Sequence, residues 1–257
     1  PPMWRFVGLL SSLFITFWSV FSAATYAGEE RPPALTHSVA SGDVTPTTAI
    51  VWSRADKETY LHVAYDSDLD FSGPKNAKPT FVTEASDYTG QVTLTSLRPN
   101  TRYHYRVRPS HERDEKHDQA SGGIQGSFKT APAQEAEAPV SFIFGGDLGG
   151  QALCRQRETG FAIFSQMAAL QPDFFVANGD AIYADNACPP EQPLGFGLDG
   201  SPALVRKNVP GGFPSVLSPT VDWTDLKQLR QVYPLHWQYN RADPALQQFL
   251  QHVPVYT

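Results

Sequence analysis

Two short stretches, Val140-Ser141-Phe142-Ile143-Phe144-Gly145-Gly146-Asp147-Leu148-Gly149 and Asp173-Phe174-Phe175-Val176-Ala177-Asn178-Gly179-Asp180-Ala181-Ile182-Tyr183, decide the reading of this chain. Each is an apolar run of strand length, as expected for a strand buried on both faces, that ends in Gly-Asp. Between them Phe161, Phe164, Met167, Ala168 and Leu170 recur at helical spacing as far as Gln171-Pro172, where proline stops a helix. Strand, helix and strand within about forty residues make a βαβ unit with a parallel pair. Ligands of open α/β sheets sit beyond the C-terminal ends of the strands, which puts Asp147 and Asp180 side by side on neighbouring loops. Two unpaired carboxylates repel, so a cation between them is the simplest account. A single Gly-Asp after a strand reads as a turn or a helix cap; two at equivalent ends, the second with Tyr183 three residues on, read as a site.

Upstream, from about Pro32 to Thr130, the period falls to two. Ala49–Ser53, Tyr60–Tyr65, Gln91–Thr95, Thr101–Val107 and Gly126–Thr130 each place apolar or aromatic groups on one face, which predicts an antiparallel β-sandwich over 32–130. Leu97, Pro99, Thr101, Tyr103, Tyr105 and Val107 form a pattern that resembles the tyrosine-corner strand of fibronectin type III domains. The charged run 109–123 reads as a solvated turn. Residues 131–139, acidic and with prolines near both ends, read as a linker. The remainder, 140–257, then reads as the first part of an α/β domain. Within it 186–222 is rich in Gly and Pro without periodicity. A helix capped near Asp222 or Thr224 follows, broken or kinked by Pro234, and another opens at Asp243-Pro244.

The N-terminal end has one arginine, Arg5, before an apolar run from Phe6 to Phe21, then small residues at Ala23, Ala24 and Ala27. This is the pattern of a Sec-type export signal over 1–27, cleaved after Ala24 or Ala27 and leaving no membrane anchor; a retained single anchor is the competing reading. Secretion or a periplasmic location follows from it. The 20 Lys+Arg and 26 Asp+Glu give a net charge of −6, without the basic excess a nucleic-acid partner requires. Two cysteines exclude a disulfide scaffold and a four-cysteine zinc site. Cys154 lies seven residues past Asp147 and Cys188 eight past Asp180. Equivalent excursions from adjacent strand ends predict a disulfide between them. Pro1 and Pro2 ahead of Met3, and a closing Val253-Pro254-Val255-Tyr256-Thr257 that reads as a strand with nothing after it, suggest a fragment, expected to be a monomer.

The motifs GDLG (146–149) and GDAIY (179–183), with 36–43 (THSVASGD) and 174–188, resemble the alkaline phosphatase D family and, more widely, purple-acid-phosphatase-like metallophosphoesterases. The resemblance implies an α/β metallophosphatase domain, incomplete here, preceded by the all-β fibronectin type III-like sandwich. It implies Asp147 as a ligand of one metal, Asp180 as the carboxylate bridging two, and Tyr183 as a phenolate ligand of ferric iron. The second ion of this dinuclear centre is left open among calcium, zinc, manganese and iron, because Asp147 stands where some family members carry cysteine. The family's later ligands, an Asn or Asp and several histidines, would follow Thr257. None of the seven histidines lies between Asp147 and Tyr183.

The function implied is that of a secreted phosphoric ester hydrolase acting on small phosphate monoesters or diesters through a metal-bridging hydroxide, the metals lowering water's pKa and needing no side-chain nucleophile. The chain as given is then expected to be inactive alone. Arg155 and Arg157, after the first ligand loop, are candidates for phosphate contact. Arg206 and Lys207, with Phe196 and Phe213, are candidates on the 186–222 segment, which is expected to cover the metal edge. The competing class is a non-catalytic binding module built on the sandwich. A covalent aspartyl phosphatase is disfavoured because Leu148-Gly149 follows Asp147 where Asp-x-Asp chemistry needs a second carboxylate.

Overall fold

A computed structural model of the chain describes residues 31–113, 123–149, 154–185, 187–196, 200, 202–215 and 218–257, the side chains of 194–196 and 202–203 excepted. The expected export signal and most of the charged turn lie outside the described residues. From Pro32 onward the chain forms one compact unit. Among the described residues no helix is long and apolar enough to cross a membrane.

The strands in chain order are β1 (Leu35–Gly42), β2 (Ala49–Ala55), β3 (Thr59–Asp66), β4 (Lys75–Asn76), β5 (Thr80–Val82), β6 (Thr89–Leu94), β7 (Arg102–Ser110) and β8 (Ile124–Lys129). Then come β9 (Phe142–Gly145), helix α1 (Ile163–Ala169), β10 (Phe174–Ala177), β11 (Glu191–Phe196), β12 (Pro202–Lys207), α2 (Leu226–Arg241), α3 (Pro244–His252) and β13 (Val255–Tyr256). Two sheets make the sandwich. The second has the order β4-β3-β7-β8, with β5 also on β3. Alternation does what its period requires: Val51 on β2, Leu61, Val63 and Tyr65 on β3, and Tyr103, Tyr105 and Val107 on β7 all point into one core, with Phe128 and Leu94 between them. At the entry to β7 the backbone N–H of Arg98 donates to the Tyr103 hydroxyl oxygen at 2.9 Å.

The first sheet has the order β6-β2-β1-β13-β10-β9. It carries across residues 131–139, because β13 lies parallel to β1 (Gly42 opposite Val255) and parallel to β10 (Phe175 opposite Val255). β9 and β10 pair in parallel, Phe142 opposite Phe174, with α1 as the crossover. Helices α1 and α3 cover one face of this part, Phe164, Phe249 and Leu250 packing with Phe175 of β10. Polar contacts tie the second sheet to α3 and to the start of β10. The Tyr105 hydroxyl donates to the Gln251 carbonyl oxygen at 3.3 Å, and Lys129 Nζ donates to Asp173 Oδ1 at 3.1 Å. Gly126 sits where this contact is closest, since a Cβ there would strike both the Tyr105 ring and the Gln251 carbonyl.

Four local readings change. β9 is not buried on both faces: Phe142 and Phe144 are 55% and 67% exposed, while Ile143 between them faces the helices. Its apolar run reflects a strand covered on one side among the described residues. Pro234 does not break α2, which runs through it from Leu226 to Arg241; proline forfeits one backbone bond, and the helix keeps its packing on both sides of that position. Asp225 caps it rather than Asp222 or Thr224, its side chain accepting from the Lys227 N–H at 2.8 Å. Finally, the aperiodic 186–222 segment contains a hairpin, β11 with β12, Glu191 opposite Lys207.

Candidate metal centre

Asp147 and Asp180 occupy the same place on two successive turns. Both follow a glycine at the end of a parallel strand, and both have left-handed backbone, φ 58° and 49°. Aspartate tolerates that region better than most residues, at a cost the surrounding structure must offset, which is a common property of functional turns. Gly146 suits this close approach, since a Cβ would come within 3.1 Å of the Asn178 carbonyl oxygen. Two backbone bonds then join the turns: the Asn178 N–H donates to the Gly145 carbonyl at 2.7 Å and the Leu148 N–H to the Asp180 carbonyl at 2.9 Å.

Tyr183 closes the group. Its hydroxyl lies 2.6 Å from Asp147 Oδ1 and 2.6 Å from Asp180 Oδ2. The phenol has one proton, so at any instant only one of these contacts is a hydrogen bond. The other sets oxygen against carboxylate oxygen with nothing positive between. Those carboxylates hold the phenol's pKa far above its ordinary range, chiefly through the hydrogen bond to Asp147 and then that to Asp180. Among the described residues neither Asp147 nor Asp180 has an ion-pair partner. Three hard oxygen donors converging with a deficit of positive charge fit a hard cation, and a ferric ion would also supply the charge needed to hold the phenol as phenolate. Among the described residues no three His, Cys, Asp or Glu side chains gather into a metal cluster; the group here is two aspartates and a tyrosine.

The disulfide predicted from spacing is present. Cys154 and Cys188 are joined, with 5.6 Å between their Cα atoms. The bridge sits in a small core with Phe213 and Tyr239, and so fastens the segment after Asp147 to the segment after Asp180.

The candidate phosphate contacts fall elsewhere. Arg155 is turned inward: Nη1 donates to the Tyr239 carbonyl at 2.8 Å, the guanidinium lies 5.3 Å from the Tyr239 ring centroid, and Nε is 3.8 Å from Asp243 Oδ2. Arg206 donates through Nη2 to the Cys154 carbonyl at 2.9 Å. Both brace the disulfide region instead of joining the Asp147–Asp180–Tyr183 group. Arg157 and Lys207 are exposed, linked to each other through the Arg157 N–H and the Lys207 carbonyl at 3.0 Å. Phe213 is buried against His236 and Tyr239, and the Phe196 side chain lies outside the described residues.

The sequence reading passed over the supports on α2. Asn240 Nδ2 donates to the Ala181 carbonyl at 2.9 Å, one residue past Asp180. The Tyr239 hydroxyl donates to the Val209 carbonyl at 2.8 Å and accepts from the Arg155 N–H at 3.1 Å. His236 is only 3% exposed, and burial lowers its pKa. Val232, His236, Tyr239 and Asn240 share helical spacing, so polar residues on what the period marks as the inner face were the available signal.

With this geometry, comparison with known proteins becomes informative. Residues 21–132 match the PhoD-like phosphatase, N-terminal domain. The resemblance read from the motifs therefore stands on a family match as well. PhoD itself has a similar solved structure, with a TM-score of 0.61 and 19% identity over 86% of this chain and 38% of that one. The likeness to PhoD is one of fold, and this chain spans less than half of the PhoD chain's length. Purple acid phosphatase PPD1 from yellow lupin (Lupinus luteus) seeds aligns with a TM-score of 0.47 and 14% identity, over 88% of this chain and 34% of that one. No curated protein matches the chain.

Proposed function

We propose that this chain is the N-terminal part of an exported, metal-dependent phosphoric ester hydrolase of the PhoD-like kind, its sandwich of fibronectin type III type and 140–257 opening an α/β metallophosphatase domain. The observation that carries the reading is the Tyr183 hydroxyl held 2.6 Å from both Asp147 and Asp180. The family match over the sandwich and the PhoD-like fold support it. Asp147, Asp180 and Tyr183 would hold a ferric ion and a divalent ion. When bound, such a pair supplies an acidified water and neutralises charge during in-line displacement at phosphorus. The chain's own part is to fix three oxygens in place before metal arrives, through the left-handed turns, the Leu148–Asp180 bond and the disulfide. Tyr183 would hold the ferric ion as phenolate, its proton passing to solvent. A bridge between the two cysteines also suits an oxidising, extracytoplasmic destination.

The partner is a small phosphate ester, and the protein is proposed to act as a monomer. Three oxygens do not complete two metal sites, so full activity is assigned to the longer protein. Metal content and hydrolysis of phosphate mono- and diesters, measured on that protein and on its Asp180→Asn variant, test the reading. Loss of both bound metal and turnover is expected. Turnover that survives chelation and the substitution would overturn it.

A further inference from the structure

The segment from Asp180 to Tyr183 is bonded from three sides. The Asp180 carbonyl accepts from the Leu148 N–H at 2.9 Å, the Tyr183 hydroxyl reaches Asp147 and Asp180, and the Ala181 carbonyl accepts from Asn240 Nδ2 at 2.9 Å. Among the described residues Asn240 is the one side chain outside the Asp147–Asp180–Tyr183 group that bonds to this segment. It lies in the last turn of α2 and is only 7% exposed. A buried amide needs a partner, and this one takes the first carbonyl after that of a candidate ligand.

The helix is itself pinned on both sides of that amide. Gln238 Nε2 donates to the two carboxylate oxygens of Asp87 in the sandwich, at 3.0 and 2.9 Å, where Arg54 also donates at 3.1 and 2.8 Å. The Tyr239 hydroxyl donates to the Val209 carbonyl and accepts from the Arg155 N–H. The backbone N–H of the buried Asp243 donates to the Asn240 carbonyl at 3.1 Å. Three successive side chains of α2 thus reach the sandwich, the disulfide core and the Asp180 turn. A polar group presented by a rigid element fixes its partner more closely than one carried on a loop.

We propose that Asn240 is a positioning residue of the metal centre: it holds the Ala181 carbonyl so that Asp180 keeps its left-handed backbone, φ 49°, and its carboxylate stays turned toward Asp147 and Tyr183. The inference rests on the metallophosphatase reading. A left-handed aspartate lies above ordinary backbone in energy, so without the amide the turn relaxes and the three oxygens spread. The support matters most with metal bound. In the metal-free protein the Tyr183 proton helps to tie the side chains together. As a phenolate Tyr183 no longer donates, whereas the bond from Asn240 is made to the backbone and survives that loss.

Titration of the full-length, metal-stripped protein with ferric citrate tests it, with the melting temperature in EDTA measured alongside. Asn240→Ala should lower iron affinity about tenfold or more, the usual effect of removing a group that orients a metal ligand. In the iron-saturated variant the visible charge-transfer absorption of the phenolate–iron pair should be displaced from its wild-type position. Tyr239→Phe removes the neighbouring brace at Val209 and keeps the Ala181 bond, so it should retain wild-type iron affinity and absorption whatever its effect on melting. Should Asn240→Ala fail to fold, Asn240→Leu, closer in volume, carries the test with the same loss expected. Wild-type affinity and absorption in a folded Asn240 variant, or an equal loss in Tyr239→Phe, would overturn the proposal; if Asp180→Asn still abolished binding, the metallophosphatase reading would stand without it. Failure of the wild type to bind iron would overturn both.

Discussion

The backbone N–H of Leu148 donates to the carbonyl oxygen of Asp180 at 2.9 Å. This bond joins the residue after one candidate ligand to the other candidate ligand, so the two turns are coupled before any side chain is considered. What the side chains add is charge of one sign, and the site's chemistry follows from how that charge is neutralised.

Tyr183→Phe removes the single proton shared by the group and leaves the two carboxylates facing each other. The hydroxyl is at the surface and its loss affects no core, so the melting temperature without metal should stay essentially unchanged. Metal affinity should fall about tenfold or more, as read by calorimetric titration of the metal-free protein. Unchanged affinity would remove Tyr183 from the ligand set.

The Cys154–Cys188 bridge closes a loop with a sequence separation of 34. In the chain-entropy model, replacing both cysteines by serine costs about 3–4 kcal/mol. Urea denaturation should show the unfolding midpoint lowered to match, and a reducing agent should move the wild type toward the variant without affecting the variant itself. A variant as stable as the oxidised wild type would show that the braces from Tyr239 and Arg206 already hold these segments.

Asp243 is fully buried. Its side chain accepts from the Leu246 N–H at 3.0 Å, capping α3, and from the Phe161 N–H at 3.0 Å, and it faces Arg155 at 3.8 Å. Asp243→Ala strands two backbone donors and a cation, which together cost about 3 kcal/mol or more. Arg155→Met should also act on stability, and in the full-length enzyme raise KM for phosphate esters little. A large KM effect with unchanged stability would return Arg155 to the substrate-contact role its sequence position suggested.

Acid should weaken the fold in a defined window. His37, His104, His236 and His252 all have pKa values lowered from 6.5, in each case chiefly by burial. The unfolded chain binds protons at these sites before the folded one does. Stability is therefore fully present above about pH 6.5 and is lost as pH falls from there through the lower folded values. The carboxylates of Asp68, Asp173 and Asp222 are held below 3.8, so their contribution is present above about pH 3.8 and is lost as pH falls from there through the lower folded values. Melting temperature should fall between pH 7 and pH 5, and His236→Gln should flatten part of that slope. A flat profile down to pH 4 would contradict the burial of these rings.

The sequence by itself determined what depends on periodicity and neighbour spacing. Alternation around Val51, Val63 and Tyr105 specified sandwich strands, because a strand's faces repeat every two residues. Gly-Asp at the ends of β9 and β10 placed the carboxylates together, because parallel strands bring equivalent ends side by side, and the same reasoning paired Cys154 with Cys188. Other features were open until the chain folded. Arg155 and Arg206 were indistinguishable from surface arginines, because their partners, the carbonyls of Tyr239 and Cys154, are backbone groups that no residue type announces. The inner role of His236, Tyr239 and Asn240 depended on which side of α2 met the disulfide. The insertion of β13 between β1 and β10, which makes one sheet of the sandwich and the parallel strands, comes from pairing between residues more than two hundred positions apart, as Gly42 with Val255. Hydrogen bonding of that kind is set by where the helices deliver the chain, and local sequence carries no record of it.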